Sequence, residues 1–182
     1  MSIMVCLAGL PGVGKTTWAQ EFMEMNPDFL YVSPDAYYER INGDDCDRSH
    51  PFEIWMAMFR DIHIAEMNKR NVLIDSDNLT YAQRNQWIEW FPGFDVHLLL
   101  FIEEDFNICM DRVSKRRRTV PEVIMREKML KWENPLEAGD CAEWDRVCQI
   151  CSDKIINQYN SLSHLRLFYT VLQQTQILFP IQ

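Results

Sequence analysis

Ile3-Met4-Val5-Cys6-Leu7-Ala8-Gly9-Leu10-Pro11-Gly12-Val13-Gly14-Lys15-Thr16-Thr17 opens the chain with two different patterns in succession. Residues 3–8 are a short, continuous apolar run, the form of a central parallel strand buried on both faces. Residues 9–16 then match G-x-x-x-x-G-K-[ST], a demanding spacing because its parts do separate jobs. Gly9, Gly12 and Gly14 let the backbone around Val13 wrap tightly enough to aim successive N–H groups at phosphate oxygens. A helix that starts near Lys15 and carries Thr16 and Thr17 in its first turn points its positive end at the same anion. Lys15 supplies a point charge to the β and γ phosphates of a nucleoside triphosphate, and the Thr16 hydroxyl is placed to ligate magnesium.

Outward from this loop, strand and helix patterns alternate. The first helix runs to Met25 and is stopped by Asn26-Pro27. Residues 29–33 read as a second strand ending at Ser33-Pro34-Asp35. Between Pro51 and Lys69 an amphipathic helix is expected, with Phe52, Trp55, Met56, Phe59, Ile62, Ala65 and Met67 as its apolar stripe. Residues 72–74 are a third strand, followed by Asp75-Ser76-Asp77-Asn78 and a helix opened by a Thr80/Gln83 capping box. Residues 95–102 read as a fourth strand, with helices expected over about 105–115 and from a Thr119/Glu122 capping box to Trp132. Residues 145–150 complete the strands. The expected fold is therefore α/β, a parallel sheet flanked by helices on both faces, with ligands at the carboxyl ends of the strands. We assign residues 1–151 to one domain, with a helical lid over about 112–131, and residues 152–182 to a C-terminal helical extension of it.

Composition narrows the function. The 182 residues carry a net charge of −9, which argues against nucleic-acid binding by blanket electrostatics. Yet eight of the 18 Lys and Arg fall between Arg112 and Lys131, so one segment is strongly basic. The six cysteines are scattered and sit mostly in apolar patterns; Cys148 and Cys151 have C-x-x-C spacing without a second pair, as reduced core cysteines do. No signal peptide or membrane-spanning run is visible, so a cytoplasmic protein is expected. The sequence leaves oligomeric state open.

Three further groups surround the loop in this reading. Asp35, just past the second strand, is the candidate general base for an acceptor hydroxyl; the competing reading is a turn formed by Ser33-Pro34-Asp35. The parallel-sheet pattern is expected to set its strand end beside that of the glycine loop. Asp75 is the candidate to hold a magnesium water, with Asp77 as its competitor, and either acid also serves as a plain helix cap or loop residue. Arg112 and Arg116, four apart, share one face of an expected helix and converge on a phosphate, with Lys115, Arg117 and Arg118 extending the cluster.

The ordered set Gly9 to Ala19, Asn26-Pro27, Asp35 with Tyr37, Asp77-Asn78-Leu79 with Arg84 and Trp87, and Ser114-Lys115-Arg116 with Val120-Pro121 resembles the bacteriophage polynucleotide 5′-hydroxyl kinase family, a branch of the P-loop kinases. The resemblance covers roughly residues 1 to 130. It implies a P-loop kinase-type sheet and transfer of the γ-phosphate of ATP, with magnesium, to the 5′-hydroxyl of DNA or RNA. Carried over residue by residue, Lys15 and Thr16 become the phosphate and magnesium residues, Asp35 the base and Arg116 the lid arginine. Asp77, Asn78 and Arg84 fall on the acceptor side. The family places an arginine three residues beyond the base to hold the acceptor's 3′-phosphate; here that position is Tyr38, and Arg40 is the expected substitute. The family's phosphatase motif is missing, which implies a free-standing kinase. Two other classes compete: a kinase of a small-molecule or nucleotide hydroxyl, and a nucleotide-dependent binding module.

Overall fold

A computed structural model describes residues 1–151 and 154–160, with side chains as far as Ile150. Its elements are β1 (Ile3–Ala8), α1 (Lys15–Met25), β2 (Leu30–Val32), α2 (Pro34–Asn42), α3 (Pro51–Met67), β3 (Val72–Ile74), α4 (Tyr81–Trp90), β4 (Val96–Ile102), α5 (Phe106–Ser114), α6 (Glu122–Lys131), α7 (Asp140–Glu143), β5 (Arg146–Cys151) and β6 (Lys154–Asn160). The strands form one sheet in the order β2-β3-β1-β4-β5-β6. The first five are parallel, and β6 runs antiparallel to β5.

Alternation along β1 divides the core. Ile3, Val5 and Leu7 face a cluster with Trp18 and Phe22 of α1 and Cys109 and Val113 of α5. Met4, Cys6 and Ala8 face the opposite cluster, with Ile54, Met58 and Ile62 of α3 and Trp87 of α4. Each large side chain buried this way contributes roughly 1.5–3 kcal/mol, and the two layers hold β1 rigid at the centre of the sheet. The glycine loop hangs from its carboxyl end.

Several expectations are corrected. β3 lies between β1 and β2, so the loop and Asp35 do not hang from adjacent strands. Pro34 begins α2 instead of closing a strand; Ser33 is its N-cap, and Asp35 sits in its first turn. The Thr80/Gln83 capping box of α4 is formed as expected, but α6 has Pro121 at its N-cap with no side-chain hydrogen bond, so Thr119 caps nothing there. The buried stripe of α3 is Ile54, Met58, Ile62 and Ala65, whereas Phe52 and Met67 are more than 70% exposed. Residues 154–160 are strand where a helix was expected; the rest of that extension, 152–153 and 161–182, lies outside the described residues. No described helix is long and apolar enough to cross a membrane.

Candidate active site

Left-handed backbone shapes the loop after β1. Gly14 has φ 111° and forms the N-cap of α1 without any side-chain hydrogen bond, so the dipole end of the helix is uncapped by the protein. Gly12, at φ 89°, is packed so closely that a Cβ would lie 2.6 Å from the Cys109 carbonyl oxygen of α5. Val13 is buried, its N–H donating to Leu10 O at 3.4 Å, and Thr17 is exposed at the rim.

Lys15 is buried and turned back on the loop: its Nζ donates to Gly9 O at 2.7 Å, Leu10 O at 3.0 Å and Asp77 Oδ1 at 3.1 Å. The Thr16 hydroxyl donates to Asp75 Oδ2 at 2.8 Å, and the Tyr31 hydroxyl donates to the same oxygen at 2.7 Å. A hydroxyl and a carboxylate in contact at the mouth of an uncapped helix are hard oxygen donors of the kind magnesium takes, so the residues present fit that ion.

These groups border a cavity of about 640 Å³ whose far wall includes Asp35, Arg48, Arg116, Arg117 and Arg118. Asp35 Oδ1 accepts from Arg48 at 2.5 Å and from Arg118 at 3.0 Å. The Arg48 guanidinium also lies 4.3 Å from the centroid of the Tyr38 ring, a cation–π contact that orients it. Arg117 ties the basic loop to Asp44 at 2.9 Å and Asp45 at 3.6 Å. A second cavity of about 440 Å³ lies on the other side of Gly12 to Gly14 and is bordered by Thr17, Glu104, Arg112 and Arg116. Arg112 donates to Gly12 O at 3.2 Å and pairs with Glu104 at 3.3 Å. Arg112 and Arg116 do meet at this cavity, although not on one helix face: α5 ends at Ser114, and Arg116 stands in the loop beyond it.

Other sequence-derived assignments fail on geometry. Arg84 is fully buried and forms a fork with Asp140 at 2.8 and 2.7 Å, so it cannot reach an acceptor. Asn78 is buried too; its amide donates to Leu7 O at 2.6 Å and its oxygen accepts from Trp87 Nε1 at 2.9 Å, pinning the β3–α4 loop to β1. Arg40 turns to Asp61 at 3.0 Å and stacks on Tyr37, away from the cavity, while the buried Tyr38 contributes the surface on which Arg48 rests. Asp77 does border the cavity, but its oxygens are taken by Lys15 and Lys128. Burial works against the ionised form of Asp77, and the charges of Lys15 and Lys128 more than offset this, holding its carboxyl below the usual value.

Sequence reading missed three participants: Arg48, Tyr31 and Lys128. Arg48 stands 13 residues beyond Asp35, and no local pattern marks it. Tyr31 and Lys128 meet their carboxylates only through the order of strands and the return of α6 over the loop.

The family pattern described as an AAA domain matches residues 4–134. The L-seryl-tRNA(Sec) kinase of Methanococcus maripaludis is 22% identical over 157 residues, covering 79% of this chain and 56% of that protein. Among solved structures, a chain of the Pnkp1/Rnl/Hen1 RNA repair complex superposes with a TM-score of 0.63 at 18% identity, covering 71% of this chain and 43% of the other. A sugar kinase from Janibacter sp. HTCC2649 gives 0.59 at 15% identity, covering 97% and 96%. At these identities the two structures establish the shared P-loop kinase-type fold. The chain spans a little over half the tRNA kinase and less than half the RNA repair chain.

Proposed function

We propose, from the premise that this chain belongs to the AAA domain family, that it is an ATP-dependent kinase acting on the 5′-hydroxyl of a DNA or RNA end. The observation that carries this reading is the placement of Asp35 and the glycine cradle on one cavity whose acceptor side is lined by guanidinium groups. A P-loop alone fits a switch or a motor equally well. A carboxylate across the cavity from the cradle adds what a kinase needs, a base for the attacking alcohol.

In this reading the cradle N–H groups and Lys15 hold the β and γ phosphates of ATP. Magnesium, held by Thr16 and Asp75, would neutralise charge on those phosphates when bound. Asp35 takes the proton of the acceptor hydroxyl as its oxygen bonds to the γ-phosphorus, and the bond from that phosphorus to the bridging oxygen breaks to release ADP. Arg116 and Arg112 border the cradle from the lid side and stabilise charge on the transferring group. Arg48, presented on Tyr38, is the acceptor-side arginine in place of the expected Arg40.

The name of the RNA repair neighbour supports a nucleic-acid acceptor, and the tRNA kinase supports an RNA-linked hydroxyl. One observation favours the second reading, a small-molecule kinase: the sugar kinase neighbour matches this chain over nearly the full length of both. The salt dependence of acceptor affinity separates the two. A polynucleotide contacting several arginines loses affinity steeply with added salt, whereas a neutral sugar does not. A flat salt response together with sugar phosphorylation contradicts the polynucleotide reading.

A further inference from the structure

Lys128 stands in the last turn of α6, beyond the arginine loop, and its ammonium donates to Asp77 Oδ2. Lys15 holds the other oxygen of the same carboxylate. Asp77 therefore bridges the cradle lysine to α6. An ammonium has three donors, and Lys15 has three protein acceptors: two loop carbonyls and Asp77. To engage a phosphate oxygen Lys15 must release one of them, and Asp77 is the charged competitor.

We infer that Lys128 is a positioning residue that sets the affinity of the cradle for a nucleoside triphosphate by sharing Asp77 with Lys15. With Lys128 on Oδ2, the carboxylate keeps a counter-ion when Lys15 turns to the phosphates. Without it, Asp77 holds Lys15 more strongly and, once Lys15 leaves, confronts the polyphosphate as an uncompensated like charge. This rests on the cradle binding ATP and is independent of the acceptor.

A purely structural role for Lys128 is countered by independent anchors. Directly after α6, Glu133 N donates to Leu79 O at 3.0 Å, and the Glu133 carboxylate accepts from Tyr81 N at 2.6 Å. Asp77 itself is held by Gly9 N, which donates to its carbonyl at 2.9 Å, and by the Asn78 bonds to β1. These contacts keep α6 and the β3–α4 loop together when the lysine charge is removed.

The test is titration calorimetry of the full chain with ATP and magnesium. K128M is expected to weaken binding at least about fivefold, the lower end of coupling between linked groups, while K128R stays within about twofold of the parent. Melting of the nucleotide-free protein is expected to be little changed. D77N removes the competitor, so D77N/K128M is expected to bind ATP as D77N does. Wild-type affinity in K128M, or a double variant as weak as K128M, overturns the inference, as does a K128M variant whose weak binding follows from a collapsed melting transition. Absence of ATP binding in the parent chain overturns the nucleotide reading itself.

Discussion

Arg118 and Asp35, 83 residues apart in sequence, lie 3.0 Å apart at the carboxylate oxygen that Arg48 also holds, at 2.5 Å. The basic loop after α5 and the start of α2 thus close on one another across the cavity. The two guanidiniums occupy the oxygen that has to face an acceptor hydroxyl, and a phosphate on the acceptor is the group best suited to draw those arginines aside. The candidate base and the candidate acceptor clamp are in this way one device.

Replacement of Asp35 by Asn keeps the shape and removes the proton acceptor. Phosphoryl transfer is expected to fall ~10²-fold or more, with ATP affinity unchanged. Single-turnover transfer beside ATP titration checks both halves. Intact transfer in D35N assigns the base elsewhere.

R48A and R118A address the acceptor. Each is expected to raise KM for a 5′-hydroxyl oligonucleotide about tenfold and to lower the salt slope of acceptor binding by about one. Equal losses for ATP and acceptor in steady-state kinetics contradict this division of labour.

Gly12 and Gly14 are both left-handed but differ in surroundings. In G12A the new Cβ meets the Cys109 carbonyl at 2.6 Å, so α5 has to shift, whereas Gly14 has nothing within 4 Å. G14A is expected to show only the backbone strain, roughly 1–3 kcal/mol, and G12A a larger loss. Chemical denaturation of the two variants measures the difference.

The buried pair of Arg84 and Asp140 is expected to act on stability and not on acceptor choice. R84M leaves Asp140 uncompensated and costs about 3–5 kcal/mol, and R84M/D140L recovers much of it. Urea unfolding reads the energies, and an unchanged acceptor preference in the folded fraction distinguishes this from an acceptor-binding role.

The Asp77 carboxyl provides a pH test. Burial disfavours its charge, but Lys15 and Lys128 lower its folded value below the ordinary 3.8. A carboxyl depressed on folding gives its full stabilisation above the unfolded value and loses it as pH falls through the folded one. The stability difference between the parent and D77N is therefore expected to be constant above about pH 5 and to shrink below about pH 4. Urea unfolding across that range measures it, and a difference that grows on acidification contradicts the sign.

Legibility in the sequence followed distance along the chain. The strand, glycine loop and first helix are covalent neighbours, so residues 3–17 declared both the fold and the phosphate cradle. The Thr80/Gln83 capping box was equally local. Pro34 carried a helix-start signal, but the short strand before it drew Ser33 and Asp35 into a turn instead. α3 is apolar around much of its circumference, so periodicity gave its presence and, of its buried face, Ile62 and Ala65 but not Ile54 and Met58. Arg84 was placed on the acceptor side by the family resemblance, and nothing near it in sequence reveals Asp140, 56 positions away. Arg48 was overlooked for the mirror reason: only the folded loop brings it onto Tyr38 and Asp35.

The most direct measurement is incubation of the full chain with γ-labelled ATP, magnesium and a panel of acceptors: 5′-hydroxyl RNA, 5′-hydroxyl DNA, their 5′-phosphorylated counterparts and small sugar alcohols. Label on the 5′ end of the hydroxyl oligonucleotides, absent with the 5′-phosphorylated ones and lost in D35N, is the predicted result. Label on a small alcohol with none on either nucleic acid would contradict the account.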